Sequence, residues 1–406
     1  MNGSLYRNIN LYIIFAITLG GIVSVSLLIP VLPAMAAHFS LSPGEIGFMI
    51  SLYTLPGVLF ILFIGILSDK IGRKPILIVS LVLFSVAGGS IYWLDDYKWI
   101  MVFRFVQGIG GATLPALSTI LIGDLFGEKD RLKVMGLNAA VLSVGTACFP
   151  FLGGLLAMDS WNSPFLTFWM GIPLAIFIAI KLVEPKVNVD RDFSAYFKNA
   201  GRYIFSARSL FVFSIGLLIF ILLYGGVLTY LVLFMDNRFA MSPLAIGIYI
   251  AVSSIGSGLI APLSSNFKRL IGEKLMLVSG FLAFAVSFFL ITVISEQLWL
   301  LAVFLLIGVG MGITLPLVQS IVTSIAPTEY RGIMVSFSAM TIRGGQTVGP
   351  PILALFLLNG DLMNVFNVCF VVSGCFAAIL FVWGGILLHN QNTQLQEPAL
   401  KYNQAD

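Results

Sequence analysis

Residues 38–51 read HFSLSPGEIGFMIS and residues 238–251 read RFAMSPLAIGIYIA, the same phrase displaced by 200 positions. The echo continues at that displacement. Ile71, Gly72 and Lys74 return as Ile271, Gly272 and Lys274, Arg131 as Arg331, Gly145 as Gly345 and Pro150 as Pro350. A chain that repeats its pattern halfway along folds as two related halves, which restricts its architecture more than any single motif does. The material of the repeat restricts it further. Only 10% of residues are charged, against roughly 25% in soluble domains, and 59% are apolar. A water-soluble core of this size could not hide so many Leu, Ile, Phe and Val side chains. Lipid can, provided every backbone group is paired within a helix or a closed barrel. The apolar runs reach the roughly 20 residues that cross a bilayer and lack period-two alternation, so they read as helices and not barrel strands.

Twelve such spans are expected: roughly 11–37, 45–67, 75–94, 99–122, 132–157 and 164–183, then 210–235, 243–264, 275–294, 298–324, 332–358 and 365–388. The fold class is therefore an all-α membrane protein, twelve transmembrane helices in two pseudo-symmetric six-helix bundles. Residues 1–185 form the first bundle, 186–209 a linker, 210–390 the second bundle and 391–406 a polar tail. The 40 glycines suit helices that approach one another closely. Placing both termini in the cytoplasm puts most of the 22 basic residues in cytoplasmic segments, as the positive-inside bias requires of a cell (inner) membrane protein. The first span shows no small-residue cleavage site, so it reads as a membrane span and not a signal peptide. Cys148, Cys369 and Cys375 lie inside apolar runs without metal-like spacing, so neither metal nor cofactor is expected. The net charge of +4 carries no nucleic-acid signature, and the chain is expected to work as a monomer.

Between the second and third spans the chain reads Gly65, Leu67, Asp69, Gly72, Arg73, Lys74 and Leu77 at the spacing G-x-L-x-D-x-x-G-R-K-x-x-L. With this loop the sequence resembles the major facilitator superfamily, whose signature it matches throughout. Gly72 permits a tight turn, Asp69 can rest at a helix N-terminus, and Arg73 can reach a carboxylate, with Asp124 the natural partner. The resemblance implies a gating and coupling lock built on Gly65, Asp69, Gly72, Arg73 and Asp124, not a solute site. Arg104, Gln107, Gly108, Gly110 and Ala112 on the fourth span are similar to the family's R-x-x-Q-G-x-G-x-A motif, which the resemblance links to proton coupling. The fifth span carries Gly136, Gly145, Pro150, Gly153 and Gly154, resembling the family's drug-antiporter helix, with Phe149 where that pattern has glycine. Gly145, Pro150, Gly153, Gly154, Gly345 and Pro350 are accordingly expected to pack helices. Pro30 and Pro33 on the first span are similar to the twelve-span drug-efflux branch.

All 18 acidic residues fall in loops, tails or span ends, whereas Arg343 lies near the middle of the eleventh span and Arg104 on the outer half of the fourth. A charge in hydrocarbon costs at least ~2.5–3.5 kcal/mol, so both arginines must face the interior and find partners. Two interior cations without an interior carboxylate favour an anionic or strongly hydrogen-bonding solute. The expected cavity comprises Arg343, Arg104, Gln107, Gln346, Asn138, Tyr224 and Ser24. The reading is a secondary active transporter for a small-molecule substrate, exporting a drug, siderophore or metabolite against protons by alternating access. An importer or uncoupled facilitator on the same fold is the alternative, with a non-transporting membrane sensor as another class. Enzyme chemistry is not expected, because no metal-spaced cluster or nucleophile–histidine arrangement is present.

Overall fold

The computed structural model describes residues 5–183, 200–357 and 360–388, so the expected linker up to residue 199 and the polar tail lie outside the described residues. Within them the chain is helical, with no strand. The twelve spans are α1 (Ile9–Ser26), α2 (Pro43–Ile71), α3 (Arg73–Ser90), α4 (Tyr97–Leu125), α5 (Glu128–Leu156) and α6 (Gly171–Lys181), then α7 (Ala207–Ile221), α8 (Pro243–Ile260), α9 (Ser264–Val293), α10 (Leu300–Ile325), α11 (Arg331–Ala354) and α12 (Leu362–Leu388). Ten stretches among the described residues are long and apolar enough to cross a membrane. One of these, Pro243–Val293, contains both α8 and α9. Helix α11 falls short of that apolarity because Arg343, Gln346, Ser336, Ser338 and Thr347 interrupt it. The fold is thus a multi-pass membrane protein of two six-helix bundles.

The repeated phrase has a local cause. Ser40 (φ 53°) and Ala240 (φ 48°) both close the preceding helix in the left-handed region. Ser42 and Ser242 then cap α2 and α8 through their hydroxyls, with Pro43 and Pro243 at the first helical position, where a missing N–H costs nothing. Ser42 adds a reciprocal capping box with Glu45. The second turn of the repeat is also built twice: Gly72 (φ 105°) separates α2 from α3, and Gly272 (φ 78°) breaks α9 at the matching point. Glycine adopts such angles without steric cost.

Three spans depart from regular α-helix. The first continues past Ser26 through a 3-10 turn, Ile29–Val31, into the short helix Leu32–His38, since Pro30 and Pro33 remove two backbone donors. The sixth begins as a 3-10 segment, Ser163–Met170. The seventh passes from α7 into a π-helix, Leu222–Leu231, before ending as Val232–Phe239. Leu132, Val183, Phe63, Val382 and Met170 stand largely bare on the outer surface, a burden in water and the expected contact with acyl chains in a bilayer. Arg73, Arg131, Lys268, Lys274 and Arg331 gather at one end of the bundle, called here the basic end.

Candidate functional site

The two bundles meet along two seams, α2 against α11 and α8 against α5, and residues related by the 200-position displacement occupy equivalent layers. Farthest from the basic end, Gly44 faces Ala354 and Gly154 lies against the backbone of Pro243 and Leu244. One turn inward, a methyl group on Gly47 would stand 3.0 Å from the Cβ of Pro350, and Gly247 lies against the Pro150 carbonyl. The next layer is hydrogen-bonded: Thr54 and Thr347 share a 2.9 Å bond, and the Ser254 hydroxyl donates to the Thr146 carbonyl at 3.1 Å. That carbonyl is available because Pro150, four residues on, has no N–H to give it. Beyond this layer the bundles part. Gly136 on α5 and Gly258 on α8 continue the same faces by helical spacing, yet a methyl group added to either would meet no atom of a neighbouring element within 4 Å. The molecule is closed at the far end and opens toward the basic end as a vestibule.

Arg343 stands where closure gives way to opening. Its aliphatic stem crosses the seam onto Gly57, where a methyl group would meet Cδ at 3.1 Å and Cγ at 3.3 Å. Its Nη1 donates to Oε1 of Gln346 at 3.2 Å, and its backbone carbonyl accepts from the Thr347 hydroxyl at 2.8 Å. Tyr224, on the π-helix, lies close enough to feel the Arg343 charge. That π-helix is pinned to α11: the Tyr230 hydroxyl donates to the Pro350 carbonyl at 2.7 Å, and Gly225 sits against the Gly349 carbonyl. This π-helix, ten residues long, therefore lies directly against the helix that carries Arg343. Among the described residues, no Asp or Glu lies at mid-span to neutralise Arg343.

Arg104 belongs to a separate cluster inside the first bundle. It is 1% exposed, donates through Nη1 to Ser24 Oγ and Gln107 Oε1, both at 2.7 Å, and lies over the Tyr53 ring with its guanidinium carbon 4.4 Å from the centroid. Gly88 makes room for the Gln107 amide. The expected cavity residues therefore fall into groups. Arg343 and Gln346 pair at the vestibule floor, with Tyr224 on the adjoining π-helix, while Arg104, Gln107 and Ser24 are sealed within the first bundle. Asn138, on α5, is held by a 2.7 Å hydrogen bond from Thr18, which also contacts Ser118 at 3.0 Å.

At the basic end Arg73 is buried, its Nε 3.1 Å from Asp124 Oδ2 and its Nη1 donating to Ser68 at 3.0 Å. The side chains of Gly65 and Asp69 lie outside the described residues. The small residues of α5 and α11 divide by face. Gly154 and Pro150 meet the opposite bundle, Gly145 and Gly153 meet the first span, and Gly345 meets α7, while Pro350 meets Gly47. Sequence reasoning missed Gly57, Thr54, Thr347 and Tyr53. The repeat offered one usable signal, because Thr54 and Ser254 stand 200 positions apart.

A family profile described as the Major Facilitator Superfamily matches residues 14–265 and, again, 213–401. The chain belongs to that superfamily. Its superfamily relatives include the "Bacillibactin exporter" of Bacillus subtilis (strain 168), 30% identical over 360 residues, covering 83% of this chain and 87% of the exporter. "Tetracycline resistance protein, class E" of Escherichia coli is 28% identical over 359 residues, covering 85% and 86%. Among solved structures, a bacterial homologue of the human lysosomal transporter Spinster superposes with TM-score 0.74 at 16% identity, over 94% of this chain and 96% of that one, a likeness of fold. A transporter of this superfamily, and not an enzyme, is what these relatives establish.

Proposed function

We propose that this chain is a secondary active transporter that exports a small amphiphilic compound, a drug, siderophore or metabolite of anionic or neutral character, in exchange for protons. The observation that carries the proposal is the Arg343 guanidinium at the vestibule floor, with no interior carboxylate among the described residues to satisfy it. An interior cation costs at least ~2.5–3.5 kcal/mol, and a solute that supplies negative charge removes that cost. The exporter and resistance relatives support the outward direction.

In this reading both termini and the basic end lie in the cytoplasm of an inner-membrane protein, so the vestibule opens inward to receive its solute. Residues 1–185 rock as a monomer against residues 210–390, through the linker 186–209. The Arg73–Asp124 pair is already made inside the first bundle with the basic end open, and the loop carrying Gly65, Asp69, Gly72 and Arg73 latches onto the second bundle when that end closes. Asp69 and Asp124 at the cytoplasmic end, with Glu45 and His38 at the outer one, are the candidates for carrying the coupling proton, and none of the four is singled out. An uncoupled facilitator is the second reading, favoured by the lack of a mid-span carboxylate among the described residues.

Proteoliposome flux with an imposed pH gradient tests the proposal, reading lumenal pH while anionic, neutral and cationic amphiphiles are added. Proton movement triggered by anionic or neutral compounds, and lost in Arg343→Ala, is the expected result. Solute flux without any proton signal would replace efflux pumping with facilitated passage.

A further inference from the structure

We infer that the solute is anchored through a pair of adjacent oxygens shared between the Arg343 guanidinium and the Gln346 carboxamide nitrogen, an inference that rests on the vestibule being the solute path. Gln346 is 6% exposed, and its Oε1 is taken by Arg343 Nη1 at 3.2 Å, so its Nε2 is the end left for a ligand. Asn138 shows the same polarity, its Oδ1 taken by Thr18 at 2.7 Å. The Thr347 hydroxyl, next to Gln346, uses its single proton on the Arg343 carbonyl. What the floor offers is a pair of N–H donors, one of them cationic, and among the described residues no carboxylate lies at mid-span beside them. An ammonium ligand finds no counter-charge there.

Spacing then selects among acceptors. Residues three apart on a helix share a face, so Arg343 and Gln346 present their donors side by side. The guanidinium is itself a rigid fork suited to two oxygens at once. One oxygen satisfies one partner. A carboxylate, or two neighbouring phenolate or enolate oxygens, satisfies both without breaking the Arg343–Gln346 bond. Gly57 holds the fork in place, because any side chain there would press on the Arg343 stem. The anchor therefore sits in the seam, where a bound solute touches both bundles.

The test is calorimetric titration of the purified full-length protein in detergent at neutral pH, with three probes sharing one tail: 4-octylbenzoate, 4-octylphenol and 4-octylbenzylamine. The benzoate is expected to bind at least about tenfold more tightly than the phenol, a difference of ~1.4 kcal/mol. That preference should collapse in both Arg343→Lys, which keeps the charge without the fork, and Gln346→Leu, which removes the second donor. Thermal melting of both variants reports their folding. Undiminished benzoate preference in Arg343→Lys overturns the fork and leaves a point-charge anion site. Benzylamine binding as tightly as benzoate to the unaltered protein overturns the fork and the anionic reading together, and needs no variant to fold.

Discussion

The two bundles are built on one pattern and differ where charge enters. Arg343 on α11 corresponds, 200 positions back, to Ser143 on α5, whose hydroxyl merely bonds its own helix at the Ala139 carbonyl, 3.0 Å away. Arg104 on α4 corresponds to Phe304 on α10, a fully buried ring. Each bundle thus carries one interior arginine that its counterpart lacks, and the two are treated in opposite ways. Arg104 is enclosed by Ser24, Gln107 and the face of Tyr53. Arg343 has Gln346 and an open vestibule. The close-packed layers of the seam recur at equivalent depths, Gly47 on Pro350 and Gly247 on Pro150, so the repeat builds the contact between the bundles. On the proposed reading, solute chemistry enters where the repeat is broken.

The sharpest way to break this comparison is to remove each arginine in turn. Arg343→Ala should abolish transport, a loss of at least about a hundredfold, while leaving folding and insertion intact, because on the proposed reading it removes a charge whose partner is the solute. Arg104→Ala should instead lower the melting temperature, since it leaves buried Gln107 and Ser24 without a partner at about 1–3 kcal/mol each. Proteoliposome flux and fluorescence-detected melting, run on both variants, separate the two roles. Equal loss of folded protein in both would show that Arg343 is as structural as Arg104.

The second expectation compares the two ends of one helix. Gly247 lies against the Pro150 carbonyl in the closed layer, and Gly258 faces open space. Gly247→Leu should strain this conformation by about 1–3 kcal/mol, shifting the population some 5–150-fold toward a parted far end, while Gly258→Leu leaves it unstrained. Spin labels at Leu132 and Leu270, both exposed near the basic end, would report the shift as a shorter inter-bundle distance. No change in Gly247→Leu would mean that the far-end layers touch without closing anything.

Much of this was legible in the sequence, for reasons particular residues make plain. Ser42 with Pro43, and Gly72 with Gly272, specify caps and turns through side-chain and backbone chemistry that needs no tertiary context. The Arg73–Asp124 pair could be named because a buried guanidinium must find a carboxylate and the motif brings one within reach. The π-helix of Leu222–Leu231 was not legible, since an apolar run reads alike whether its hydrogen bonds close four or five residues on. Nor was the separation of the arginines: which face of glycine-rich α4 turns inward depends on Gly88 yielding space to Gln107. Gly57 gave no signal at all, because a glycine's role appears only once the side chain crossing it is known.

The smallest effect tests whether the paired seam hydrogen bonds are equivalent. Each is worth about 0.5–1.5 kcal/mol, up to roughly tenfold in the balance between conformations. Ser254→Ala removes the donor to the Thr146 carbonyl, which Pro150 has already deprived of its helical partner, so that carbonyl is left unpaired. Thr54→Val is milder, because the Thr347 hydroxyl keeps its bond to the Arg343 carbonyl. Both substitutions should favour parting of the far end, with Ser254→Ala moving the Leu132–Leu270 distance distribution further. The reverse ranking would place the stronger latch on the α2–α11 seam, beside Arg343, and would tie closure to the solute anchor instead of to the proline-freed carbonyl.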